Sequence, residues 1–372
     1  MFTSTLGIRL VFWAGATVPA PAPVELLQLL SKVEVTNDSG AGDGFSITFA
    51  CGRNAIGDYP LARSDTLKPK TRVILGVVMG AMPEALIDGV ITHTQFNPGS
   101  APGQATLTVM GRDLTVLMDL EEKNESYENQ PDFTIAARVL AGYASFGVVP
   151  APMPTSDVPI MTERIPRQHE TDLQFLQRLA KRNGYVFYLE PITFGVTKAY
   201  WGPPVRVGVP QSALSVDLGS ATNVKSLSFA ADALAATETK GVFVDPFLHL
   251  AIPIPSLPSL RVPPLALLPA SALRTTLQRE TANQNPATAA TTALASTTNT
   301  PDPVTASGDL DSVRYGKVLR ARGLVGLRGA GFMYDGLWYV SKVTHTITRN
   351  DYTQNFNLGR EGFLTTTPVV AP

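Results

Sequence analysis

The chain has 372 residues, 44% of them hydrophobic and 16% charged, and a net charge of −1. That length allows roughly two or three domains and a core that needs no staples. The near-neutral balance gives no basic field for nucleic acid, and a single cysteine, Cys51, excludes an internal disulfide or a multi-cysteine metal site.

The charged share lies below the usual quarter or so. It fits a surface buried against partners, and it equally fits a Thr/Ala/Pro-rich soluble chain.

Residues 2–18 are apolar apart from Arg9, which sits inside the stretch where a leader would carry it before. Leu6, Ile8, Leu10 and Phe12 alternate and predict a first strand. No run reaches the ~18–20 apolar residues of a spanning helix. Ala251 to Leu268 comes closest, and its prolines argue against a helix. No membrane span is expected.

Residues 1–118 predict a first β unit, a small closed or nearly closed antiparallel barrel. Its strands are Val33–Val35, Phe45–Ala50, Val73–Val78, Leu86–Phe96 and Ala105–Val109, each alternating or β-branched between turn residues. Cys51 extends the alternation of Phe45, Ile47 and Phe49, as a core thiol would. Asn97-Pro98-Gly99 marks a turn.

Residues 119–184 predict a helical connector, preceded by a helical turn at Leu114, Leu117 and Met118. Phe133, Ala136, Val139 and Leu140 share one helical face, with Asp132 as its N-cap. Thr171-Asp172-Leu173-Gln174 opens a second helix as a capping box. Leu173, Leu176 and Ala180 lie on one face, with Phe175 and Leu179 beside it. Arg178, Lys181 and Arg182 suit its C-terminal dipole, and Gly184 stops it.

Residues 185–372 predict a second β unit. It opens with the strand Tyr185–Leu189 and closes with a hairpin of Trp338–Thr348 against Tyr352–Leu358. An insertion at about 246–309 interrupts it. The insertion is first apolar and Pro-rich, then, from about Thr281 to Gly308, almost wholly Ala, Thr, Ser, Asn and Pro. Without hydrophobic periodicity, this second part is expected to be a flexible loop.

One pattern occurs twice. Asp88-Gly89, Thr92-His93-Thr94 and Gly111-Arg112-Asp113 are echoed by Asp335-Gly336, Thr344-His345-Thr346 and Gly359-Arg360-Glu361. The order is Asp-Gly turn, Thr-His-Thr strand, return strand, Gly-Arg-acid. Such self-similarity points to a duplicated β unit. His93 and His345 then occupy equivalent strand positions and read as interstrand hydrogen-bond donors. Arg112/Asp113 and Arg360/Glu361 end the repeats, either as salt bridges at a barrel rim or as contacts between subunits.

The sequence offers little for catalysis. His169, Glu170 and Asp172 precede a capped helix, and no second His or Cys cluster completes a metal site of ~3–4 ligands. There is no G-x-S-x-G elbow, Walker A loop or His-Glu-x-x-His. Gly326 to Gly331 lacks dinucleotide spacing and reads as a turn. Glu121-Glu122 and Asp309/Asp311 lie in polar stretches, and nothing marks a carboxylate pair across a cleft. No catalytic, cofactor-binding or metal residue is assigned.

Three runs resemble the late control D family, the tail-hub proteins of contractile phages and related injection systems, similar also to the hub part of type VI spike proteins. They are His169–Glu190 (HETDLQFLQRLAKRNGYVFYLE), Tyr334–Phe363 (YDGLWYVSKVTHTITRNDYTQNFNLGREGF) and Asp88–Asp119 (DGVITHTQFNPGSAPGQATLTVMGRDLTVLMD). Within them Thr171, Asp172, Phe175, Leu176, Leu179, Gly184, Asp335, Gly336, His345, Phe356 and Arg360 count as structural motif positions.

The resemblance implies a mainly β fold with α, in which two similar antiparallel β-barrels are joined by a helical connector. It implies a homotrimer whose six barrels form a pseudo-sixfold ring, adapting a hexameric tail tube to a trimeric spike beside other baseplate proteins. It implies a structural role without enzyme activity or cofactor, and cytoplasmic assembly into a phage tail or injection-system particle. The chain stops at Pro372 after the second barrel, so the spike is expected to be a separate polypeptide. Two rivals remain. One is a tail-tip enzyme that cleaves peptidoglycan. The other is a receptor- or carbohydrate-binding β protein with Trp201, Trp338 and Tyr339 as its candidate aromatic residues.

Overall fold

The alternating runs form strands because each buries every second side chain against one face of a common sheet. The computed structural model of the chain describes residues 7–80, 82–101, 103–155, 165–244, 251–254, 263–277, 300–367 and 370. Leu6, His249 and residues 281–299 of the expected flexible loop lie outside the described residues.

The first unit comprises β1 (Arg9–Gly15), β2 (Ala20–Pro21), α1 (Val24–Leu29), β3 (Leu30–Asp38), β4 (Gly44–Ala50), β5 (Arg72–Met79), β6 (Met82–Asn97) and β7 (Thr106–Asp113). Next come β8 (Glu122–Ser126), α2 (Asp132–Ala141), β9 (Val148–Pro152), β10 (Arg167–Thr171), α3 (Asp172–Arg182), β11 (Val186–Thr193) and β12 (Val196–Gly202). The second unit holds β13 (Gln211–Ser215) and β14 (Val224–Ala231). A long excursion follows, with β15 (Thr237–Val244), β16 (Ala251–Ile254), β17 (Ala266–Pro269) and β18 (Arg274–Leu277). The unit resumes with β19 (Val304–Asp311), α4 (Ser312–Tyr315), β20 (Leu324–Arg328), β21 (Gly336–Thr348), β22 (Tyr352–Arg360) and β23 (Gly362–Thr365).

The architecture is mainly β. Thirteen strands share one sheet in the order β14-β19-β22-β21-β3-β4-β7-β6-β5-β1-β2, with β20 beside β21 and β13 beside β20. The two β units are therefore sewn together where β3 runs antiparallel to β21, from Lys342 opposite Asp38 to Thr348 opposite Lys32. The first core takes in Val318, Ile347 and Tyr352 from the second unit.

Four expectations are corrected. First, β11 and β12 do not belong to the second unit: β12 pairs parallel with β9, and Leu189, Ala199 and Trp201 share a core with α2 and α3. The packing of the connector therefore continues past residue 184, because its helices need a sheet to cover their apolar faces. Second, Val304–Asp309 is not loop but lies in β19, between β14 and β22. Its buried positions Val304, Ala306 and Leu310 were disguised by the Thr, Ser and Gly between them. Third, Asp88-Gly89 is not a turn; both residues sit inside β6. Fourth, Asp132 is the first helical residue of α2, and the N-cap position falls to Pro131, which makes no side-chain capping bond.

Candidate assembly surface

α3 begins where the sequence places it. The Thr171 hydroxyl accepts the Gln174 amide at 3.3 Å and donates to Asp119 at 2.7 Å. Asp172 is buried, and its carboxylate accepts from Lys123 Nζ at 2.6 Å, Tyr143 OH at 2.7 Å and Gln168 Nε2 at 2.7 Å. Phe175 stacks on Tyr127, and the Leu176 carbonyl accepts the indole N–H of Trp201 at 3.0 Å. Leu179 is buried, and Gly184 has a φ of +67° in the left-handed stop. Arg182 and Asn183 at the end of α3 both bond the Asp132 carboxylate, tying the two helices together.

Two buried ion pairs, which the sequence did not reveal, fasten the parts to each other. Arg72 grips Asp88 with two bonds of 2.8 and 2.6 Å and also donates to the carbonyls of Thr17 and Phe146. Arg322 of the second unit grips Asp43 of the first at 2.9 and 2.6 Å and lies over the Tyr188 ring. Asp113 lies beside Asp43. Burial, then the Asp43 charge, pushes its carboxyl up to about 7. Arg322 and Asp43 are 279 positions apart and Arg72 and Asp88 are 16 apart on neighbouring strands, so neither pair leaves a local motif, and only an unusual Arg or Asp in an otherwise uncharged stretch could have hinted at them.

The motif residues of the last hairpin are internal. Asp335 accepts the Ala330 amide at 2.7 Å, and Gly336 (φ +112°) lies where a Cβ would overlap Thr365. Phe356 is buried. His345 is 1% exposed and bonds Tyr352 OH through Nδ1 at 2.9 Å. Burial, then Arg320, pulls its pKa down to about 3.

At the Gly-Arg-acid ends, Arg360 and Asp113 depart from both expected roles, while Glu361 does form a salt bridge, with Arg206. Arg360 is 0% exposed and donates to the carbonyls of Gly362, Asp335 and Met333 while stacking over Trp338. Glu361 accepts from Arg206 and from the amides of Leu265 and Ala266, holding part of the excursion. Asp113 is buried, and Arg112 alone of the four is exposed. Burial thus removes Asp113 and Arg360 from any subunit contact. Trp201, Trp338 and Tyr339 are 0%, 0% and 7% exposed, so no carbohydrate stacks on them in this fold.

The duplication is real in topology but not in the residues that suggested it. β3, β4, β5, β6 and β7 occupy the same relative places as β14, β19, β20, β21 and β22. The hairpin β6–β7 carries a bulge between Ile91, opposite Gly111, and His93, opposite Met110. The hairpin β21–β22 carries one between Val340, opposite Leu358, and Lys342, opposite Asn357. Matching the bulges aligns Gly111 with Leu358, Asp113 with Arg360, His93 with Lys342 and Phe96 with His345. The Gly-Arg-acid triplets are thus one residue out of step, which turns corresponding side chains to opposite faces. That is why Arg112 points to solvent and Arg360 inward; the histidines are three residues out of step, and His93 is exposed while His345 is buried. The two histidines are not equivalent.

The second pair of strands matches as well. β3 bulges between Leu30 and Lys32, and β14 between Val224 and Ser226. At the same spacing from its bulge, each strand reaches an aspartate at or just past its end that accepts the amide two residues on: Asp38 from Gly40 at 2.8 Å and Asp232 from Leu234 at 2.8 Å.

Among the described residues no group of His, Cys, Asp and Glu could hold a metal, and no helix is long and apolar enough to cross a membrane. No family model and no curated protein matches this sequence. The fold is shared with phage tail proteins. A tail protein from Neisseria meningitidis MC58 superposes with a TM-score of 0.64 at 15% identity, over 97% of this chain and 99% of that one. The Escherichia coli c3393 protein is a type VI secretion component described as similar in structure to the T4 tail proteins gp27 and gp5. It gives 0.55 at 14% identity, over 92% and 77% of the two chains. A chain of the Francisella PdpA-VgrG complex gives 0.57 at 11% identity, over 98% of this chain and 54% of that one.

Proposed function

We propose that this chain is a structural tail hub of the late control D kind. Three copies form a ring of six barrel-like units that adapts a hexameric tail tube to a trimeric spike, in contact with other baseplate proteins. Its work is mechanical, without a catalytic step, and takes place within a phage tail or related injection particle. The observation that carries this reading is the repeated strand order, with both bulges in register, in a chain that takes a tail-protein fold along nearly its whole length. Two such units per chain let threefold symmetry meet a sixfold partner, and closed symmetry fixes the stoichiometry. The likeness to a chain of the PdpA-VgrG complex supports a spike as neighbour.

Light scattering on the purified chain is expected to give three times the 39.7 kDa chain mass, and tube and spike proteins are expected to co-purify. A lone monomer that captures neither would overturn the reading. Turbidity of a cell-wall suspension is expected to stay constant, and its clearing would favour the peptidoglycan-cleaving alternative.

A further inference from the structure

The sheet contains one completed seam and the two halves of another. In the completed seam, β3 lies along β21 from Lys342 to Thr348. The strand matching β21 in the first unit is β6. Its early residues pair with β5 up to Val90, and beyond that no strand pairs with its outer edge over Thr92–Asn97 among the described residues. The strand matching β3 in the second unit is β14. It pairs only with β19 and ends the sheet among the described residues. The chain thus carries an acceptor edge and a donor edge of the kinds it has already joined internally.

Among the described residues neither open stretch is cut short or carries a proline, although each begins at a bulge and Tyr59 packs on Phe96 at 4.8 Å. Sheet edges avoid open pairing by shortness, proline or inward charge. The far end of this sheet does so, ending in the two-residue β2 with Pro21. β14 runs Val-Lys-Ser-Leu-Ser-Phe-Ala-Ala, with its one charge, Lys225, at the bulge. The outer part of β6 runs Thr-His-Thr-Gln-Phe-Asn, and Phe96 is 38% exposed.

We infer that β14 of one copy pairs antiparallel with the Thr92–Asn97 edge of β6 in a second copy, reproducing between chains the β3–β21 seam within each chain. The matched bulges set the register. His93 falls opposite Asp232, Thr94 opposite Ala231, Gln95 opposite Ala230, Phe96 opposite Phe229, and Asn97 opposite Ser228. The first pair sets an imidazole against a carboxylate where, in the internal seam, Lys342 lies 3.4 Å from Asp38. The partner strand supplies the main-chain bonds that the open edges lack, as in strand addition generally. Two different edges meet, so the contact is head-to-tail and must close into a ring or continue as a filament.

This inference rests on the hub reading only in taking the partner to be a second copy of the chain. Its test mixes two single variants, Gln95→Cys and Ala230→Cys. The internal counterparts of this pair, Thr344 and Thr36, bring their hydroxyl oxygens to 3.2 Å, so the two new thiols meet at disulfide range. Native Cys51 is buried and gives no background. The expected result is a disulfide-linked dimer on a non-reducing gel from the mixture and none from either variant alone. Ala231→Cys in place of Ala230→Cys points to the other face and is expected to give none.

A ring of the expected mass that forms no such cross-link, or links equally through residue 231, overturns the edge pairing and leaves the hub reading standing. A chain that stays monomeric overturns both. Hydrogen exchange on the unmodified chain does not depend on how the variants fold. Residues 92–97 and 226–231 should become protected on assembly, and unchanged exchange there overturns the inference.

Discussion

Thr36 and Thr344 stand 308 positions apart in the chain, yet their hydroxyl oxygens meet at 3.2 Å across the seam between β3 and β21. The seam is held at one end by a buried charge pair. Arg322 closes on Asp43 and also donates to the Asp38 carbonyl at 2.6 Å.

Arg322→Met removes the cation and leaves the Asp43 carboxylate buried beside Asp113. Breaking one side of a buried pair costs about 3–5 kcal/mol. Urea unfolding followed by tryptophan fluorescence should show a loss of that size. Replacing both Arg322 and Asp43 by apolar residues should recover much of it, since the stranded charge is then gone.

Asp113 gives stability a downward slope with pH. Its carboxyl titrates near 7 in the folded chain and near 3.9 when unfolded. Between those values the folded state holds a proton that the unfolded state has released, so stability falls as pH rises through the window. Asp113→Asn keeps an acceptor for Thr115, whose amide and hydroxyl bond this side chain. The variant should be more stable than the parent at pH 8, by about 1 kcal/mol or more, and nearly equal to it at pH 4. A parallel pair of pH–stability curves would contradict this account.

His345 acts with the opposite sign. Folded, it stays neutral down to about pH 3; unfolded, it takes a proton near 6.5. Stability is therefore present above about 6.5 and lost as pH falls towards 3, by up to about 1.4 kcal/mol per pH unit. The paired change His345→Phe with Tyr352→Phe leaves no orphaned hydroxyl and should flatten this acid limb. Thermal midpoints measured from pH 4 to 7 would show it.

Gly89 faces Asp113 across β6–β7, and a Cβ there would overlap the Arg112 carbonyl oxygen and press on the Phe45 ring. Gly89→Ala should destabilise the chain by about 1–3 kcal/mol, the usual cost of overpacking. The same change at Gly195 meets open space, although its positive φ of 84° adds a smaller backbone cost. The comparison separates crowding from the general effect of losing a glycine.

In the connector, two adjacent residues should differ sharply. Thr171→Ala removes a helix cap worth about 1 kcal/mol. Asp172→Ala strands Lys123, Tyr143 and Gln168 together and should cost about 3 kcal/mol or more. Circular dichroism melts of the two variants compare them directly.

The strands and the α3 helix were legible because their signals are local. Alternation places Phe45, Ile47 and Phe49 on one face. Thr171 caps within three residues, and Gly184 supplies a left-handed stop that side chains resist. The duplication was legible as a fact but not in its alignment. Short motifs such as Gly-Arg-acid can drift by one residue, and only the ladder of paired strands shows which face each side chain takes. The assignment of β11 and β12, the strand character of Val304–Asp311 and the buried pair Arg322–Asp43 depend on partners far along the chain, and the pair Arg72–Asp88 on the pairing of β5 with β6. By itself, then, the sequence determined that this is a mainly β chain with a doubled unit and a capped helical connector. The tertiary structure alone decided that the two units share one sheet through β3 and β21, because strand pairing is set by main-chain bonds between segments that no sequence neighbourhood contains.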